Sequence, residues 1–537
     1  MGNPDAGWKL AAGLAALALL AVFVLGAFAV LLALAGTRPD AGALLADPYL
    51  RSVVVFTLQQ ASLSAALSIA GAIPLALALH RARFRGREAI LRLCLMPQAL
   101  PVLVGALAIV AVWGRSGIVS DGLAALGLPR LDVYGLTGIL IAHVFFNLPL
   151  ATRLLVAALD AVPAERWKLA AGLSFGVRAT FRTIEWPALR GALPGAASLV
   201  FMLCITSFTL VLVLGGGPGA TTLEVAIYQA LRYDFSPGRA ALLGLAQIAL
   251  TALVLFALFR FGGTLDGAAT LGQRAVRYDR PSRGARLASS ATLVLGLGFI
   301  AAPFAAILLR GLDADLLRLV GETTVQRAAV TSAVLAVASA TLSLLLSTAL
   351  LFGSAALGAG SNGDRRAFGS PFDLAGSLVL VVPPIVLGAG WFLALRGTGD
   401  VFAAAPVMVA VTNAVMAMPF VMRIIGPPMA QAALRHDRLA ASLALSGLSR
   451  LRHVDWPALK YPVRLALAFA MALSLGDLGA AALFGNQDFV TLPLLLHQRM
   501  GSYRTADAAG LALLLGALSL ALMAMAERGT GRPEAQT

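Results

Sequence analysis

The sequence predicts an all-α polytopic membrane protein of about twelve transmembrane helices in two parallel six-helix repeats. Three observations carry that prediction. Of 537 residues, 59% are hydrophobic and only 12% charged, against about 25% charged in a soluble domain; a globular core cannot hide so much apolar surface. About twelve apolar runs reach the ~20 residues that cross a bilayer. A charged phrase, RTIEWPALRGALP (182–194), returns as RHVDWPALKYPV (452–463): Glu185, Trp186, Pro187 and Arg190 map onto Asp455, Trp456, Pro457 and Lys460, each 270 positions on.

The runs lie near 10–35, 53–79, 93–113, 134–159, 192–214, 238–260, 289–309, 327–353, 375–396, 402–425, 463–484 and 505–526. They do not alternate apolar and polar residues as barrel strands do, and lipid offers open backbone no partner, so helices are expected. The first run exceeds the roughly 7–15 residues of a signal-peptide core and reads as a retained span. Arginine gives the orientation. Arg81, Arg83, Arg85, Arg87 and Arg92 crowd one loop, and Arg166, Lys168, Arg178, Arg182 and Arg190 the next loop but one. Arg274, Arg277, Arg280, Arg283 and Arg286 fill the middle linker, and Arg435, Arg438, Arg450, Arg452 and Lys460 the counterpart loop of the second half. All fall on one side, which the positive-inside rule makes cytoplasmic, with both termini. The net charge of +15 therefore belongs to loops, and no basic domain with interleaved aromatics points to nucleic acid.

The repeat extends upstream. PLATRLL (149–155) shifts by 270 onto PFVMRII (419–425), TLQQASLSAAL (57–67) by 267 onto TVQRAAVTSAV (324–334), and PVLVG at Pro101 by 283 onto PIVLG at Pro384. An even number of spans per half makes the repeats parallel. The expected organisation is a first span and outer loop at 1–52, a first permease domain at 53–260, a cytoplasmic linker at 261–288, a span and outer loop at 289–323, a second permease domain at 324–527 and a cytoplasmic tail at 528–537.

The repeated phrase closes the long loop between the fourth and fifth helices of each half. Small Ala170 and Ala171 would let a short helix dock closely into a groove, and Phe181, Ile184 and Trp186 would pin it to the parent chain. The second copy offers Ala440 and Ala441, then Leu451, Val454 and Trp456. Pro187 and Pro457 would interrupt the helix and start the next segment. This pattern resembles the EAA loop of ABC-importer permeases, the coupling helix that sits in a cleft of the ATP-hydrolysing subunit. Counted back from the proline, the family's glycine position holds Ser174 and Ala444, with Gly172, Gly176 and Gly447 nearby; its glutamate position holds Lys168 and Arg438, or Leu169 and Leu439 if the gap falls elsewhere. The fused two-half chain resembles the thiamine and iron(III) permeases, and segments 201–243 and 473–504 resemble the thiamine permeases in particular. The resemblance implies a type I importer permease without a cofactor, two ATP-binding-cassette subunits on the coupling loops, a periplasmic thiamine-binding protein, and thiamine or its phosphates as cargo. Iron(III) or another small solute is the alternative cargo.

No lysine follows a glycine, so no phosphate-binding loop can be written and ATP hydrolysis falls to a partner. The absence of H-E-x-x-H leaves a zinc protease without support, and His143 and His497 stand isolated. Cys94 and Cys204 sit in apolar runs as small hydrophobes. An ion-coupled carrier would rely on intramembrane ionisable groups, which are scarce here. Asp477, between Gly476 and Gly479, is the translocation or gating candidate, since a carboxylate at membrane depth is costly; a helix-packing role is its alternative. Arg153 and Arg423 are expected to snorkel to the cytoplasmic face. LGGGPGATT (214–222) and FGNQDFVT (484–491) occupy matching outer loops and read equally as flexible connections, docking surfaces or short re-entrant elements.

Overall fold

A computed structural model describes residues 5–36, 47–82, 86–261, 283–358, 370–379, 382–396, 399, 401–502 and 504–527. Every regular element among them is helical, and eleven helices are long and apolar enough to cross a membrane. Most of the expected linker at 261–288 and the tail at 528–537 lie outside the described residues.

Proline and polar residues explain where the helices depart from the expected runs. The run at 375–396 is two helices, Pro371–Leu378 and Pro384–Arg396. Pro383 and Pro384 supply no N–H to continue the first helix, and Pro384 is pre-set to start the second. The second has 13 residues, about 20 Å of rise, short of a ~30 Å hydrocarbon layer. The runs at 192–214 and 463–484 begin earlier and break: Trp186–Ile205 is followed by Thr209–Leu214, and Trp456–Gly476 by Gly479–Phe484. The run at 402–425 is one helix of 38 residues, Ala405–Ser442, with Pro419, Pro427 and Pro428 inside it.

The chain forms two compact units, and each takes its first helix from the other half of the sequence. One comprises Met1–Ala41, Ala226–Ile248 and Ala314–Thr537; the other comprises Gly42–Val225 and Ala249–Asp313. In the first unit, helix Ala6–Gly36 packs on Thr323–Gly358 and Pro384–Arg396. Ala16, Leu20, Phe23, Ala27 and Leu31 form its buried stripe, while Leu19, Val22 and Leu25 face outward. Lipid gives such a helix no hydrophobic drive to associate, so close small-residue contact must hold it. Gly13 meets Gly353 backbone to backbone, and Gly390 lies against Ala27 so closely that a Cβ there would stand 2.6 Å from the Ala27 carbonyl oxygen. Trp391 stacks on Phe23 and donates its indole N–H to the Phe23 carbonyl at 2.9 Å. In the second unit, Arg283–Leu312 packs on Pro48–Arg81 and Val102–Trp113.

The two outer-loop segments carry matching helices, Leu223–Arg232 and Leu492–Gly501. The Leu223 N–H donates to Thr57 Oγ1 at 3.1 Å, and the Leu492 N–H to Ser332 Oγ at 2.8 Å. Each hydroxyl belongs to the tenth residue of its long helix, about 14 Å along the axis. Both helices thus start beside the third turn of a long helix, where their first N–H is satisfied by a side-chain hydroxyl and not by their own backbone. The same bonds correct the repeat register. Buried Thr57, Ala61, Ser64, Ala65 and Ser68 correspond to buried Ser332, Ala336, Ser339, Ala340 and Ser343, a shift of 275 and not the 267 that letter matching gives. The eight-residue discrepancy is about two helical turns, over which an Ala/Ser-rich helix resembles itself.

Gly390→Val should expel the first helix from its groove and lower the melting temperature of the detergent-solubilised chain by several degrees, whereas Leu19→Val should leave it unchanged. Equal melting temperatures for both variants would contradict this packing.

Candidate functional site: two coupling loops and the helix breaks

Each coupling loop is built the same way. In the first, helix Ala164–Gly172 leads to Val177–Thr180, a widened π-turn over Phe181–Glu185, and then Trp186–Ile205. In the second, the end of Ala405–Ser442 leads to Gly447–Arg450, a π-turn over Leu451–Asp455, and Trp456–Gly476. Proline causes the widening. Pro187 has no N–H, and its ring presses on the carbonyl four residues back. The chain takes up one extra residue, so the Trp186 N–H reaches the Phe181 carbonyl and the Trp456 N–H that of Leu451. Pro187 and Pro457 therefore widen the helix without interrupting it, which corrects the sequence expectation.

Ser174 and Ala444, at the family's glycine position, have φ of 52° and 50°. That is the left-handed region, which costs a non-glycine residue roughly 1–2 kcal/mol. The position demands a glycine-like backbone even where glycine is absent.

The faces of the coupling helices differ from the sequence expectation. Ala170 and Ala440 are buried against their own chain, Ala170 in a cluster with Val162, Trp167 and Ile184. Ala171 is half-buried, and the Ala441 side chain lies outside the described residues. Ser174 and Ala444 are exposed, and Val454 is half-buried. Trp186 and Trp456, expected to pin the loop to the parent chain, are exposed, with Pro187 half-buried and Pro457 exposed. The outward apolar residues are ones that sequence reasoning did not select: Leu169 and Leu173, 65% and 59% exposed, and Leu439 and Leu443, 59% and 61% exposed. Their four-residue spacing puts each pair on one helix face. Its recurrence after 270 positions was the signal available in the sequence.

The two loops are fastened differently. In the first, Arg81 grips wholly buried Glu185 with two hydrogen bonds, one from Nε to Oε1 at 2.9 Å. Arg87 holds Asp160 at 2.8 Å, and His80 lies 3.7 Å from Asp160 and against the Trp167 ring. In the second, Asp455 faces Arg450 Nε at 3.6 Å, and Arg450 also pairs with Asp437. Asp5, at the start of the first helix, accepts the Gly447 N–H at 3.0 Å and the Trp8 indole N–H at 3.1 Å. Burial raises the Asp5 pKa, but those two bonds and the charges of Lys9 and Arg450 more than offset it and hold the carboxyl below its ordinary value.

Polar clusters mark the breaks in the spans. Asp477 sits in the break after Gly476; its Oδ1 accepts the Gly479 N–H at 3.1 Å, while Oδ2 makes no well-formed hydrogen bond among the described residues. Nearby, Asn413 donates to Ser474 Oγ at 3.0 Å, and Ser474 to Ser339 at 3.3 Å. The first half places Ser64 2.8 Å from His143 Nδ1, and Asn147 donates to Cys204 Sγ at 3.4 Å. His143 and Cys204 map onto Asn413 and Ser474, and Ser207 onto Asp477, each by 270. Isolated in sequence, His143 is in the fold part of this cluster.

A repeat-built helical membrane chain with two matching Trp-Pro loops is the architecture expected of a permease of the ABC-importer class. The family described as "Binding-protein-dependent transport system inner membrane component" matches residues 68–265. The chain is 50% identical over 523 residues to the thiamine transport system permease protein ThiP of Brucella abortus (strain 2308), covering 97% of this chain and 95% of that one. It is 42% identical over 529 residues to ThiP of Escherichia coli (strain K12), at 98% and 97% coverage, and 36% identical over 516 residues to ThiP of Haemophilus influenzae, at 94% of each. The chain belongs to the family of thiamine transport system permease proteins, multi-pass in the inner membrane and a transport subunit, not an enzyme.

Arg81→Ala should remove the bidentate partner of the buried Glu185 charge, at a cost on the order of 3–5 kcal/mol. Replacing both residues by methionine should be far milder. The check is thermal unfolding of the purified chain; an Arg81→Ala protein as stable as wild type would refute the pairing.

Proposed function

We propose that this chain carries thiamine and its phosphates across the inner membrane, driven by two ATP-binding-cassette subunits seated on the loops at 164–187 and 434–457. A periplasmic thiamine-binding protein delivers the cargo, and both termini are cytoplasmic. The observation that carries the cargo is the 50% identity to a thiamine permease along 97% of the chain. The arginine-rich loops support the orientation.

The coupling geometry supports the mechanism. The exposed pairs Leu169/Leu173 and Leu439/Leu443 offer each ATPase an apolar ridge. Trp167, Ala170 and Ile184 hold the first coupling helix to the turn that starts the next span. A push on the ridge passes through Glu185 and Arg81 to two spans together. Asp477 and its neighbours stand where the moving span is already broken, so bending there needs no helical hydrogen bond to be lost. Selectivity is shared with the external binding protein, so the pathway has no need of a tight site.

The test is ATP-dependent uptake of labelled thiamine by proteoliposomes holding this chain, its ATPase and its binding protein. Wild type should take up thiamine, and Leu173→Asp with Leu443→Asp should lose at least tenfold while the chain stays folded. Iron(III) uptake without thiamine uptake would overturn the cargo; full activity in the double variant would overturn the docking ridge.

A further inference from the structure

Glu224 is the second residue of helix Leu223–Arg232. It is 1% exposed, and neither carboxylate oxygen has a hydrogen-bond partner among the described residues. Among the described residues, buried Asp5 is held by Trp8 and Gly447, Asp160 by Arg87, Glu185 by Arg81, Asp373 by Ser354 and Ser370, and Asp507 by Arg499, and half-buried Asp477 has the Gly479 N–H on one oxygen while its other is unpartnered. A carboxylate buried without partners is among the costlier things a membrane protein can hold. The first turn of its own helix lends a partial positive charge, which is a fraction of what the ion needs.

The second half shows that the fold does not require this group. Leu223 and Leu492 occupy equivalent places, each donating its N–H to a hydroxyl of the neighbouring long helix. By the same shift of 269, Glu224 corresponds to Pro493, a residue suited to a first helical turn and unable to carry charge. The short helix therefore starts equally well without a carboxylate. Glu224 is a one-sided addition to a two-sided scaffold, placed within the length of a span and left without a counter-charge among the described residues.

We propose that Glu224 is a specificity-determining residue that meets the positive charge of the cargo, an organic cation, as it passes. This rests on the thiamine reading, in which the cation is the thiazolium ring. The group is enclosed in this conformation and becomes reachable when the importer opens. The arriving cation supplies the missing counter-charge, so the carboxylate favours a positively charged ring over a neutral ring of the same shape.

The experiment measures uptake in proteoliposomes with ATPase and saturating binding protein, comparing thiamine with its thiophene analogue, which lacks the ring charge. The binding protein is common to all samples, so its own preference cancels between variants. Glu224→Gln, which keeps the shape and mimics a protonated carboxyl, should cut thiamine uptake at least tenfold. It should leave analogue uptake and substrate-free ATP hydrolysis unchanged and raise the melting temperature of the complex. Glu224→Asp should retain part of the thiamine uptake. Normal thiamine uptake by Glu224→Gln, as expected if the residue only carries a proton, would overturn the proposal; so would an equal fall for both compounds, which marks a packing role. Failure of the wild-type complex to take up thiamine at all would instead sink the cargo reading, and this inference with it.

Discussion

The bidentate contact between Arg81 and Glu185 is the joint on which the first coupling loop depends. Both side chains are drawn largely out of water, and such a pair survives only with good geometry. It ties the end of one long span to the last residue of the widened turn, so the loop cannot move without moving both. Among the described residues the second loop has no such joint. Asp455 is shorter than Glu185 by one methylene, and its partner Arg450 belongs to the loop itself. The missing tether is replaced by the start of the first helix, whose Asp5 binds the Gly447 amide. The exchange of first helices between the halves of the sequence thus has a mechanical consequence: Asp5, at the start of the first helix, braces the second loop.

The same logic of symmetric scaffold and asymmetric detail runs through the spans. The breaks after Ile205 and Gly476 recur at the same place in each half, and so do the polar clusters beside them. What differs is charge: Ser207 in one half corresponds to Asp477 in the other, which caps the short helix that follows. A carboxylate at a helix start accepts N–H groups that lipid would leave unsatisfied. Asp477 therefore has a structural reason to be where it is, alongside the translocation role proposed for it.

Much of this architecture was legible in the sequence because lipid imposes a simple rule: long apolar runs become helices. The spans follow from it, and the repeated letters show the duplication and the loop that closes on Trp-Pro. What was not legible depended on direction and distance. Ala170 and Leu169 are adjacent letters, and only the packing of Trp167 and Ile184 decides that the alanine faces inward and the leucine outward. The register of the second repeated helix failed because small residues recur every turn. The pairing of Arg81 with Glu185 spans 104 positions, and nothing in either neighbourhood points to the other. Glu224 went unremarked because a single glutamate beside two threonines reads as ordinary loop polarity until its burial is known.

Each of the two loop helices turns a leucine ridge outward, toward the ATPase in the proposed complex, and an alanine toward its own chain. Both native cysteines are buried, so thiol cross-linking has a low background. Single cysteines at 169, 170, 439 and 440 in the assembled complex, treated with a short thiol-to-amine cross-linker, test the claim directly. Cross-links to the ATPase subunit from Leu169→Cys and Leu439→Cys, and none from Ala170→Cys or Ala440→Cys, are the predicted result; the reverse pattern would contradict the account.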